Sequence, residues 1–138
     1  MKALLLDPWQ RRIHRIQVDH SLAAWCRILG CKSVKRLEIH RNIQGTRAVD
    51  IWVDDEGLMK EPMPPTFKVR AYPQALAGYG LVLGANLKTD ESIDCPMGKD
   101  HFEVYIAWEP WEKRLKVEDY FEQLSAIHDW ETHGPPRP

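Results

Sequence analysis

The chain has 138 residues, 43% of them apolar and 28% charged, with a net charge of −1. That length and composition suit one globular domain and exclude a disordered or fibrous chain. No stretch approaches the roughly 20 apolar residues of a membrane span, and the opening Met1-Lys-Ala-Leu-Leu-Leu-Asp7 halts at Asp7-Pro8, too soon for a signal peptide. The expected location is therefore the cytoplasm, with no membrane partner.

Three cysteines, Cys26, Cys31 and Cys95, are too few and odd in number for a disulfide framework. Charge is uneven: residues 1–70 carry 13 Lys and Arg against 8 Asp and Glu, and residues 71–138 carry 6 against 12. The basic half permits an anionic partner, and attraction between the halves explains the pattern equally well.

In chain order, Lys2–Leu6 is a short apolar run and predicts a buried strand. Ile13–Val18 follows with His14, Ile16 and Val18 on one face, so the two segments form an opening hairpin. Ser21 supplies an N-cap, Leu22, Trp25, Cys26 and Leu29 share a helical face, and Gly30 stands where the helix ends. Val34–His40 and Arg47–Val53 are strands around the hairpin loop 41–46, closed by the turn Asp54-Asp55-Glu56-Gly57. The prolines of Leu58–Pro73 predict an extended crossing. Gly80–Gly84 is a buried strand and Lys88–Asp100 a polar excursion. His101–Trp108 alternates, placing Phe102, Val104, Ile106 and Trp108 on one side of a strand.

Glu109-Pro110 breaks that pattern. A terminal helix over Lys116–His128 is expected, with Val117, Tyr120, Phe121, Leu124 and Ile127 apolar. The sum is an α+β fold: a small mixed, mainly antiparallel sheet of about six strands packed with two helices over residues 1–132. Trp25, Cys26 and Leu29 are expected to pack on the sheet beside Phe121 and Leu124, and 133–138 to form a flexible Pro-rich tail.

The opening Met1–Pro8, the helix ending at Gly30, the segment Val53-Asp-Asp-Glu-Gly-Leu58 and Gly78-Tyr-Gly-Leu-Val-Leu-Gly84 occur in that order. This layout, over about residues 1–85, resembles an uncharacterised family of small phage, plasmid and bacterial proteins. Its members pair a "DEEGxL" turn with an "AGxxxxVG" strand. The resemblance implies a mobile-element context, where small proteins bind or block host components, and brings no activity with it.

Chemistry-bearing patterns are few. His20, Cys26, Cys31 and His40 match no compact zinc spacing, and His128 and His133 are five apart and face different sides of a helix. Asp54, Asp55 and Glu56 offer carboxylates for Mg²⁺ or, more simply, a solvated turn. Gly84 is followed by Ala85-Asn-Leu-Lys88, so no phosphate-binding P-loop is present. No catalytic residue, metal or cofactor is expected. Trp9, Arg11, Arg12 and Arg15 form the densest basic and aromatic group, suited to phosphate and a stacked base, and Lys32, Lys35, Arg36, Arg41 and Arg47 are candidates to extend it. Trp108, Trp111 and Trp130 are the candidate partner-binding indoles, with Glu109, Glu112, Asp129 and Glu131 as their acidic rim. The leading expectation is a non-enzymatic phage or mobile-element accessory protein that binds a host protein, with a homodimer as another use of the same surface. The alternatives are a nucleic-acid or nucleotide-binding protein using the Arg-rich half, and a small metal-assisted hydrolase.

Overall fold

A computed structural model describes residues 1–70 and 72–109. The expected terminal helix with Phe121 and Leu124, the indoles of Trp111 and Trp130, His128, His133 and the Pro-rich tail lie outside the described residues.

The elements are β1 (Lys2–Asp7), β2 (Arg12–Gln17), α1 (Leu22–Leu29), β3 (Val34–Arg41), β4 (Arg47–Asp54), β5 (Thr66–Val69), β6 (Leu76–Ala77), β7 (Gly80–Asn86), β8 (Glu91–Ile93), α2 (Lys99–Glu103) and β9 (Ile106–Trp108), with a 3-10 turn at Gly57–Met59. The main sheet runs β2-β1-β7-β4-β3, with β8 beside the far half of β7, and a second sheet runs β6-β5-β9. Every pairing among these strands is antiparallel. The expected α+β fold, with a mainly antiparallel sheet of about six strands, is the fold observed.

β7 is the hub, buried from Gly80 to Ala85 because both faces of the main sheet are covered. On one face, Ala3, Leu81 and Leu83 meet Ala24, Trp25 and Leu29 of α1. On the other, Leu4, Leu6, Ile13, Ile51 and Val82 meet Phe67 and Val69 of the small sheet and Phe102 of α2. Gly80 lets the layers close, since a Cβ there would stand 2.9 Å from the Phe67 ring. Ser21 caps α1 as expected, its hydroxyl accepting the Ala24 N–H at 3.0 Å.

The strand expected at His101–Trp108 needs correction. Its first part is α2, and only Ile106–Trp108 is a strand. Gly98 in extended conformation starts a helical turn, and Asp100 sits in its first turn, where a carboxylate is favoured. Phe102 enters the core from a helix, and Val104, expected to face inward, is 71% exposed. The proline-rich crossing likewise hides a structured segment: Thr66–Val69 is the middle strand of the second sheet.

Candidate functional site

The site begins at the β1–β2 turn. Asp7, buried at the end of β1, accepts the Trp9 N–H at 3.0 Å and the Gln10 N–H at 3.1 Å through Oδ1. Its other oxygen lies 3.0 Å from His14 Nε2. A side chain that gathers the next backbone donors folds the chain into a tight turn. Arg11 completes it at φ +54°, and Trp9, Arg11 and Arg12 are left exposed. The Trp9 ring rests against Tyr79, with centroids 4.7 Å apart, so this exposed indole is held in place.

Beside the turn opens a cleft of about 320 Å³ lined by Arg11, Arg12, Ile13, Glu103, Ile106 and Trp108. Ile13, buried in the core, ties it to the main sheet. Trp108 is half-buried, edge-on to Phe67 at 6.0 Å, and β9 is paired to β5 opposite that same phenylalanine. The strand is fixed further where the Glu109 N–H donates to Thr66 O at 3.1 Å and Thr66 Oγ1 to Glu109 Oε2 at 2.7 Å. Lys68 Nζ is 3.5 Å from the other Glu109 oxygen. Glu109, expected on an acidic rim, is thus engaged within the small sheet.

Two separate groups of expected residues therefore meet in one place: Arg11 and Arg12 from the basic group, and Trp108 from the partner-binding group. Arg15 is exposed on β2 and does not line the cleft. Lys35, Arg36 and Arg41 lie on β3, at the opposite edge of the sheet from β2, so they do not extend the surface. Arg36 reaches Asp90 at 3.3 Å and lies 5.6 Å from the Trp52 ring centroid, and Arg41 pairs with Glu38 at 2.7 Å. Asp54 accepts the Glu56 N–H at 2.9 Å and pairs with Lys60 at 2.5 Å, as a turn residue does. Among the described residues no three His, Cys, Asp or Glu side chains are grouped to hold a metal ion.

A family model described as "Domain of unknown function (DUF3846)" matches residues 1–104. The chain belongs to the DUF3846 family. This agrees with the expectation of an uncharacterised family, and the match runs beyond the residues that carried the resemblance. No curated protein and no solved structure matches the chain. The DUF3846 match takes in Arg11, Arg12, Ile13 and Glu103 and ends before Ile106 and Trp108, so the cleft joins the family domain to the segment that follows it. No helix among the described residues is long and apolar enough to cross a membrane.

Ile13, Glu103 and Ile106 carry no sequence signal as cleft residues, since only the folding of α2 and β9 beside the first hairpin brings them together. Asp50 is also unexpected, 3% exposed in the middle of β4. There the signal was present: a lone carboxylate inside the apolar run Ala48-Val-Asp-Ile-Trp-Val53.

Proposed function

We propose that this DUF3846 protein is a non-enzymatic binding protein whose cleft takes single-stranded nucleic acid. Phosphate would sit on Arg11 and Arg12 and a base against the Trp108 indole. The observation that carries the reading is the meeting of two arginines and an indole in one cleft, on a turn that also carries the exposed indole of Trp9, braced by Tyr79. Arginine forks hold phosphate oxygens and aromatic faces stack bases without regard to sequence. Glu103 adds a carboxylate that can accept from a base amino group. The volume is at the small end of ligand pockets, about 300–1,000 Å³, which suits one nucleotide at a time. A cytoplasmic accessory role on a phage or other mobile element fits such a protein.

A second reading is capture of a host protein. Val104, 71% exposed and next in sequence to the cleft residue Glu103, supplies apolar surface that nucleic acid does not need.

The test is fluorescence anisotropy of short labelled DNA and RNA single strands across a salt series. Binding is expected to weaken as salt rises. The Arg11→Glu, Arg12→Glu double variant should lower affinity roughly tenfold or more and flatten the salt slope by about 1.4, two phosphate contacts at about 0.7 each. Failure of both polymers to bind at low salt, with the fold intact, removes the reading in favour of the protein partner.

A further inference from the structure

We infer that Cys26 and Cys31 form a reversible disulfide across the end of α1, made by exchange with a small-molecule disulfide of the glutathione type. The helix closes with two backbone hydrogen bonds, Gly30 N–H to Arg27 O at 3.3 Å and Cys31 N–H to Cys26 O at 3.0 Å, around Gly30 at φ +67°. In this closing motif a contact between the side chains at the two ends of the wider loop is common. Here both are cysteines, and both are half-buried, so a small reagent can reach them. The 3.0 Å link, with standard bond lengths on either side, keeps their Cα atoms within about 7 Å, the limit for a bridge without backbone movement. The Cys26 thiol leans the same way, its Sγ 3.9 Å from Lys32 O.

The order of events follows from the surroundings. Burial, then Asp54 and Cys26 itself, push the Cys31 thiol up to about 11, with Lys60 opposing. Cys31 therefore stays protonated, and attack begins at Cys26. The Cys26 thiolate displaces one thiolate from the small disulfide and is left in a mixed disulfide. Burial and Asp54 still hold the Cys31 thiol up, so the step that follows is the slower one. Cys31 then loses its proton to solvent, attacks Cys26 Sγ and expels the second thiolate. Two electrons and two protons have passed to the reagent, which leaves as two thiols. The bond closes a clasp on the helix that holds Trp25 and Leu29 against the sheet. Cys95 lies in the other layer, its Sγ 3.6 Å from Met97 O, and stays a thiol.

The test equilibrates the folded protein with graded mixtures of reduced and oxidised glutathione, followed by alkylation and peptide mass mapping. Free thiols should fall from three to one, with Cys26 and Cys31 linked in one peptide. Cys31→Ser should instead trap a glutathione adduct on Cys26. Three free thiols under oxidising mixtures, or adducts without an internal link, would overturn the inference. So would a link that forms as readily in denaturant, because the fold would then contribute nothing.

Discussion

Trp25→Ala is expected to lower the unfolding free energy by about 3–5 kcal/mol. The indole is 3% exposed and lies 4.9 Å, ring to ring, from Trp52 on the sheet. Its Nε1–H donates to Asp19 O at 2.7 Å, a bond that fixes the approach to the helix as well as its face. Truncation removes one of the two indoles between α1 and the sheet, and eight residues of helix cannot collapse far enough to fill the gap. Leu22→Ala, on the same helix but 55% exposed, should change stability by no more than about 0.5 kcal/mol. Urea melts of the two variants check this. Equal melts would mean that α1 does not owe its place to Trp25.

Asp50→Asn is expected to stabilise the protein above neutral pH by an amount on the order of 1–3 kcal/mol. Asp50 sits between Glu38 on β3 and Leu83 on β7, 3% exposed. Burial is the main reason its carboxyl is raised to about 6; Glu38 and Asp90 push the same way, and Arg36 and Arg41 oppose them. Below about pH 4 the group is protonated in both folded and unfolded chains and costs nothing. Between about 4 and 6 the unfolded chain releases its proton first, so stability falls as pH rises. Above about 6 the folded chain carries a buried carboxylate at full cost. The asparagine variant should lack that decline, matching the parent near pH 4 and exceeding it at pH 8. An equal loss at both pH values would show that the amide, not the charge, decides the outcome.

Local signals carried most of the first half of the fold. Ser21 and Gly30 bracket α1, the alternation of Ile13–Val18 sets β2 beside β1, and the unbroken run in β7 marks the strand buried on both faces. The second layer was hidden because its strands are only two to four residues long, and β5 and β6 follow prolines, so no period could emerge. At His101–Trp108 a helical turn running into a short strand copied the spacing of one longer strand. The candidate site was half legible. Trp9, Arg11 and Arg12 were visible as a cluster, but their meeting with Trp108 depends on β9 pairing with β5, roughly 40 positions earlier in the chain. The expected spread of basic residues failed for a topological reason, since β2 and β3 end up at opposite edges of one sheet.

The most direct test of the cleft as the binding site is a nuclear magnetic resonance titration. Tryptophan indole and arginine side-chain N–H signals would be followed as a short single strand is added. Trp108, Trp9, Arg11 and Arg12 should shift together, while the Trp25 and Trp52 indoles beneath α1 stay in place. Shifts centred on Arg36 and Arg41 at the far edge of the sheet and on Trp52 of the neighbouring strand, with Trp108, Arg11 and Arg12 unmoved, would contradict binding at the cleft.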